Sequence, residues 1–381
     1  MDFGLSEQQK MLRQTVRDFA TNEIEPEAAA IDEREEFPSG IVKQMAEMGL
    51  LGLTIPEAYG GSGMDVVSEV LVAEELSRAS GSVGAIYLAH ISLALHPLFE
   101  LANEEQRHRY VAPCARGEKI ACFALTEPEA GSDPASIKTM ATPKNDGYII
   151  SGNKIFITNG DEAGVAVVFA TLDPSQGYRS INEFVVEKGT PGFSVGKKEQ
   201  KLGIRGSSTV ELIFEDCWIP ESNLIGERNR GFRQALEAID GSRITVAAQA
   251  VGIAQAAFDA ALSYAKERCQ FGQPIASLQA IQWMLADMAT QIDAARLLVY
   301  RAAWLKDQGE PFVKEAAMAK VFAAEASREV TNKALQIHGG YGYIKDYPLE
   351  RYLRDAKITE IYEGTSEIQR MTIARSLVAG G

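Results

Sequence analysis

The sequence predicts a multidomain α+β protein in which an N-terminal helical block, a middle block of strands and a C-terminal helical block follow one another. Three observations carry this. Helical periodicity fills residues 1 to about 117 and returns from about 226. Between 118 and 225, short β-prone runs alternate with turn sequences, which suggests an antiparallel sandwich or barrel. The 381 residues exceed what one ordinary core organises, and 46% hydrophobic with 24% charged residues is a globular profile.

In the first block, Ser6 and Gln9 form a capping-box pattern. Leu12, Val16, Phe19 and Ala20 then recur at helical spacing. Pro56-Glu57-Ala58-Tyr59-Gly60-Gly61-Ser62-Gly63 breaks the pattern, and helix-like sequence resumes from about Val66. Pro113 and Gly117 close the block, giving a domain of residues 1–117.

The second block, 118–225, holds the runs Ile120 to Leu125, Tyr148 to Ile150, Lys154 to Ile157, Val165 to Thr171, Glu183 to Val186 and Val210 to Phe214. Asn145-Asp146-Gly147 and Ser151-Gly152-Asn153 read as turns between them. In the third block, 226–381, Ala247 to Glu267 is rich in alanine and leucine. Pro274 suits the first turn of a long helix through Leu305. A further helix runs from about Val313 to His338 and stops at Gly339-Gly340. No internal repeat or low-complexity tract is visible.

The net charge of −14, without a basic block, argues against nucleic acid and anionic membrane surfaces as partners. Cys114, Cys122, Cys217 and Cys269 have the spacing of neither a zinc site nor a disulfide framework, and four histidines include no H-E-x-x-H, so no metal is expected. Few thiols in a chain this long fit a reducing compartment. Met1-Asp2-Phe3-Gly4-Leu5-Ser6 lacks the features of a secretory signal, and no apolar run is read as membrane-spanning. A cytoplasmic, bacterial-type protein is expected; a mature organellar form would read the same.

Five stretches carry chemistry. The first is Ile361-Tyr362-Glu363-Gly364-Thr365-Ser366-Glu367-Ile368-Gln369-Arg370, a carboxylate set against a glycine and two hydroxyls between apolar residues. Apolar surroundings raise a carboxylate's pKa and make it a better proton acceptor. Taken alone, the segment reads equally as a helix start with Thr365 or Ser366 as N-cap. The second is Phe123-Ala124-Leu125-Thr126-Glu127-Pro128-Glu129-Ala130-Gly131-Ser132-Asp133, a strand running into a turn that exposes hydroxyls and amides. The third, Lys154-Ile155-Phe156-Ile157-Thr158-Asn159-Gly160, puts an aromatic ring and a hydroxyl on one strand face. The fourth, Arg268-Cys269-Gln270-Phe271-Gly272, brings a guanidinium suited to phosphate. The fifth is Asp240-Gly241-Ser242-Arg243, with Arg243 expected at a helix start. Each has a plain structural reading by itself; their joint order is what specifies a function.

In that order, across residues 1 to 375, they resemble the acyl-CoA dehydrogenases. The resemblance implies a helical–β–helical architecture ending in a four-helix-bundle-like domain. It also implies FAD as cofactor and Glu363 as the base that takes the α-proton of an acyl-CoA while N5 of FAD takes the β-hydride. The product is a trans-2-enoyl-CoA. Phe123, Leu125, Thr126, Gly131 and Ser132 would meet the flavin, Ser132 also the acyl-CoA, and Phe156 and Thr158 would lie beside the ring. Relatives often carry Trp where this chain has Phe156. Arg268, Gln270 and Phe271 would serve the FAD of a neighbouring subunit, with Gln279, Gln336, Gly339 and Gly340 on its adenosine half. Thr365, Ser366 and Glu367 would also touch FAD. Asp240, Arg243 and Gly364 would hold substrate. Some relatives place their catalytic glutamate where this chain has Ser242, which leaves Glu363.

The substrate carbonyl would accept hydrogen bonds from the Glu363 backbone N–H and a ribityl hydroxyl. Electron-transfer flavoprotein is the implied acceptor and a homotetramer, a dimer of dimers, the implied assembly. Asp346-Tyr347-Pro348 and Arg354-Asp355-Ala356-Lys357 look most like short-chain, butyryl-type members. A short to medium, monocarboxylic acyl chain is therefore expected. An oxidase of this fold, enoyl-CoA reduction, and a non-catalytic CoA-binding protein are the rival readings.

Overall fold

The computed structural model describes residues 4–379. Met1, Asp2 and Phe3, at the head of the stretch expected not to be a secretory signal, lie outside the described residues, as do Gly380 and Gly381 at the end of the third block.

The capping box read in the sequence starts the first helix, α1 (Glu7–Phe19): Ser6 Oγ accepts from Gln9 N at 3.2 Å and Gln9 Oε1 accepts from Ser6 N at 3.0 Å. Two short helices follow, α2 (Ala28–Arg34) and α3 (Ser39–Glu47). Helix α4 (Val66–Ala79) is capped by Asp65, which accepts from Ser68 N at 2.8 Å. Helix α5 (Gly81–Leu88), capped by Ser80, passes through a π-helical segment, Ala89–Leu95, into α6 (His96–Leu101). The short α7 (Glu104–Gln106) and α8 (Ala112–Ala115) end the block.

Eight strands build the middle of the molecule: β1 (Ile120–Ala124), β2 (Met140–Lys144), β3 (Gly147–Thr158), β4 (Ala163–Thr171), β5 (Ile181–Glu187), β6 (Phe193–Lys198), β7 (Thr209–Pro220) and β8 (Leu224–Ile225). They form one sheet ordered β6-β7-β3-β2-β4-β5-β8, with β1 beside β4. Most pairs are antiparallel as expected, but β1 and β2 both run parallel to β4. Ser151-Gly152-Asn153 is not a turn. It lies inside β3, where the register to β7 shifts between Ile150 and Gly152. Gly152 takes φ +147°, and a Cβ there would come within 2.6 Å of the Thr139 hydroxyl, so turn chemistry here marks a bulge.

Period-two alternation divides the sheet residues between two cores. Ala121, Val165, Val167, Phe169 and Val185 pack against Leu95, Leu98, Tyr110 and Val111 of the first block. Cys122, Val168, Phe184, Val186, Leu212 and Phe214 pack among the strands themselves.

The last block opens on α9 (Gly231–Glu267), a helix of 37 residues. Arg243 therefore lies within a helix, not at its start. A hairpin of β9 (Cys269–Gln270) and β10 (Gln273–Pro274) comes next, then α10 (Gln279–Asp307), α11 (Val313–His338), α12 (Leu349–Ile358) and α13 (Ser366–Val378). Pro274 belongs to the hairpin, and α10 begins only at Gln279, because Ile275–Ser277 forms a separate turn. Helix α11 has the expected bounds, and Gly339 follows it with φ +59°.

Small residues let α9 approach its neighbours closely. A Cβ on Gly252 would sit 2.3 Å from the Glu74 carbonyl oxygen of α4, so only glycine fits. Contrary to the sequence expectation, Gly81–Leu101 and Gly231–Glu267 are long and apolar enough to cross a membrane. They are apolar because they pack inside the molecule, 89% and 78% buried over their most apolar windows.

Candidate active site

Glu363 sits in the connection between α12 and α13, where the chain leaves a helix and reverses. It takes φ +53° and Gly364 takes φ +87°. Left-handed geometry at a glutamate is uncommon, and its neighbours hold it there. The Glu363 carbonyl accepts from Arg243 Nε at 3.3 Å and Gln369 Nε2 at 3.0 Å. The Gly364 carbonyl accepts from Lys320 Nζ at 2.7 Å and Gln369 Nε2 at 2.8 Å. Ser366 N donates to the Glu360 carbonyl at 3.0 Å, and Thr365 Oγ1 caps α13 by accepting from Ile368 N. On the other side, the Tyr362 hydroxyl donates to Gln249, whose amide donates to Gly81 O at 3.0 Å. The turn is thus fastened to α5, α9, α11 and α13.

The carboxyl of Glu363 accepts from Ser242 Oγ at 2.9 Å. The residue keeps part of its surface accessible, yet protein surrounds the carboxyl, and this desolvation pushes its pKa above the ordinary carboxylate range. The Ser242 hydroxyl, then Lys320 and Arg243, work against the rise. No acceptor pairs with the Glu363 backbone N–H among the described residues. The result is a basic carboxylate next to an uncommitted backbone donor.

Asp240 and Arg243 form an ion pair one helical turn apart, with Arg243 buried. Burial raises the Asp240 pKa and the Arg243 guanidinium offsets it. Asp240 also borders a cavity of about 520 Å³ shared by α6, α9 and the connection from α10 to α11.

The strand-to-loop stretch after β1 is fixed from beneath. Buried Lys154 donates to Leu125 O at 3.0 Å and Glu127 Oε1 at 2.7 Å. Glu127 also accepts from the backbone N–H groups of Lys138 and Thr139. Ile155 N donates to Thr126 O at 2.9 Å, joining this loop to β3. Phe123 is half-buried, Leu125 is buried, and Gly131 and Ser132 are exposed. The hydroxyls of Thr126 and Thr158 make no hydrogen bond among the described residues. Phe156, at φ +58°, leaves 60% of its surface open. Asn159 Nδ2 donates to Ile86 O at 3.0 Å, tying the end of β3 to α5.

A second group of candidates does not join the turn and gathers at the far end of α9 and α11. Arg268, Gln270, Gly339 and Gly340 line a cavity of about 420 Å³ together with Tyr264 and His338. The Tyr264 and His338 rings stack at 4.2 Å, and the His338 Nε2 is buried without a partner among the described residues. A Cβ on Gly339 or Gly340 would meet nothing within 4 Å. Phe271 is 90% exposed, and Gln279, Gln336 and Glu367 are exposed too.

These features suit FAD. Uncommitted threonine hydroxyls and an open aromatic face are what a planar heterocycle needs, and an open glycine pair beside an arginine suits a diphosphate or adenosine. Buried Ser366 Oγ, beside the Glu363–Gly364 turn, also lacks a partner among the described residues.

Sequence reasoning missed Lys320, Gln369, Gln249 and the Lys154–Glu127 pair. Lys320 had one readable signal, a cation on the helix face otherwise made of Ala316, Ala317, Ala319, Ala323 and Ala324.

Comparison with known proteins finds the family models for the acyl-CoA dehydrogenase N-terminal, middle and C-terminal domains at residues 6–118, 122–217 and 229–378. The short-chain specific acyl-CoA dehydrogenase of Clostridium acetobutylicum is 51% identical over 98% of this chain and 99% of its own length. The acryloyl-CoA reductase (NADH) of Anaerotignum propionicum is 50% identical over 99% of this chain and 96% of its own. A chain in a structure of the electron transferring flavoprotein of Acidaminococcus fermentans superposes with a TM-score of 0.98 at 49% identity. That match covers 99% of this chain and 100% of the other.

Proposed function

The chain belongs to the acyl-CoA dehydrogenase family, and we propose that it oxidises a short- to medium-chain acyl-CoA to the trans-2-enoyl-CoA with Glu363 as the base. It is an FAD enzyme of the acyl-CoA dehydrogenase type. The observation that carries the assignment of the base is the geometry at Glu363. A desolvated carboxylate, aimed by Ser242, shares one left-handed turn with an unpaired backbone N–H.

In this reading the thioester carbonyl accepts from the Glu363 N–H, which stabilises negative charge as the α-proton leaves. Glu363 takes that proton. Substrate binding expels water and raises its basicity further. FAD, when bound, supplies the hydride acceptor. Phe123, Leu125, Thr126, Gly131, Ser132, Phe156, Thr158, Thr365, Ser366 and Glu367 hold its flavin end; Arg268, Gln270, Phe271, Gln279, Gln336, Gly339 and Gly340 hold the rest across a subunit boundary. Asp240, Arg243, Gly364 and Ser132 hold the acyl-CoA. Electron-transfer flavoprotein is the proposed acceptor, the assembly a homotetramer, the compartment the cytoplasm, and the domains divide near residues 117 and 225.

Glu363→Gln tests the base. It should keep flavin yet reduce it at least roughly 10²-fold more slowly with butyryl-CoA. Near-normal reduction by that variant removes Glu363 from the mechanism.

The acryloyl-CoA reductase relative supports a second reading, reduction of an enoyl-CoA by the same residues run in reverse. Steady-state assays with butyryl-CoA plus electron-transfer flavoprotein, and with crotonyl-CoA plus NADH, separate the two directions.

A further inference from the structure

Lys320 lies on the buried face of α11, with none of its surface accessible. Its ammonium donates to the Gly364 carbonyl at 2.7 Å. No carboxylate oxygen lies within 4 Å of it among the described residues. A buried ammonium with one neutral acceptor is costly unless a nearby negative charge compensates it.

The charges around it narrow the choice. From α9, Arg243 is paired with Asp240. From the connection after α12, Glu360 is matched by Arg328 at 3.1 Å and Lys357 at 2.6 Å. Glu367, at the start of α13, is exposed and turned to the Thr365 hydroxyl. Glu363 remains, and it too has no ion-pair partner among the described residues; its one side-chain bond is to Ser242. Around this turn, Lys320 and Glu363 are the opposite charges without an ion pair among the described residues.

Resting on the base assignment above, we infer that Lys320 is the positioning residue of the proton-abstraction step. It pins the Glu363–Gly364 turn through the Gly364 carbonyl and keeps the Glu363 carboxyl ionised by its charge. Both effects act on the base through the backbone and the field, without contact to substrate. Burial pulls the Lys320 pKa down to about 7, while the Glu363 charge resists, so the two groups already feel each other.

The test separates charge from bond. Lys320→Gln keeps a donor for the Gly364 carbonyl and removes the charge; Lys320→Arg keeps the charge. In flavin-loaded protein without substrate, the infrared band of the protonated Glu363 carboxyl, assigned by its loss in Glu363→Gln, is followed against pH. In Lys320→Gln its midpoint should rise by about one pH unit, the scale of one lost opposite charge. The acid limb of anaerobic flavin reduction by butyryl-CoA should rise with it. Lys320→Arg should return both towards wild type. A midpoint in Lys320→Gln that coincides with wild type overturns the inference. If Lys320→Gln fails to fold, Lys320→Arg decides, and a flavin-loaded arginine variant with a displaced midpoint overturns it equally. Wild-type protein that never bleaches with acyl-CoA would instead defeat the base assignment, so the two failures are distinguishable.

Discussion

At the residue scale, the proposed base is a carboxylate that must be ionised to work, in a place that resists ionisation. Burial raises the Glu363 pKa, so the working base forms only as pH climbs through that raised value, and flavin reduction should climb with it. Ser242 donates to the charged form and lowers the pKa. Ser242→Ala should therefore move the acid limb of single-turnover reduction to higher pH, and a limb that stays put or falls would show the hydroxyl to be incidental. The Glu363 segment was legible as a candidate because a glutamate–glycine pair with flanking hydroxyls is a local signature. Lys320 was not, because its meaning depends on Gly364, 44 positions away in the chain.

At the element scale, one buried ion pair holds the loop after β1. Lys154 is fully buried and its pKa falls to about 8 through desolvation, which Glu127 opposes. Lys154→Met leaves Glu127 buried with only two backbone donors, and should cost about 3 kcal/mol of stability. Denaturant titration of the FAD-loaded variant, with flavin retention read in parallel, checks this; wild-type stability would contradict it. At the other end, Ser6→Ala should cost about 1 kcal/mol through the lost cap of α1, measured the same way. The capped start of α1 and the bounds of α11 were readable almost to the residue. Strands β2, β6 and β8 were not. Met140–Lys144 and Phe193–Lys198 sit at solvated positions with polar side chains, so they lack the apolar alternation that marks a strand. The bulge at Gly152 looked like a turn because both need glycine.

For the whole molecule, the proposed cofactor residues fall into separate groups: Thr126 and Phe156 where the loop after β1 joins β3, Arg268 and Gly339 at the far end of α9 and α11. Exposed Phe271, and Trp283, Leu297 and Trp304 along α10, leave apolar surface suited to further copies of the chain. Sedimentation should find tetramers, and Arg268→Ala should weaken FAD retention; a monomer that holds FAD firmly would refute the shared site. The order of blocks and the family were legible because many separated motifs agree. Placement of the charges within the third block was not, since it arises only when α9, α11 and the turn before α13 pack together. The most direct measurement is the visible spectrum of the purified protein before and after anaerobic addition of butyryl-CoA. The expected result is a yellow protein whose oxidised-flavin band bleaches. A colourless protein that takes up no added FAD, or a yellow one that no straight-chain acyl-CoA from C4 to C16 bleaches, would contradict it.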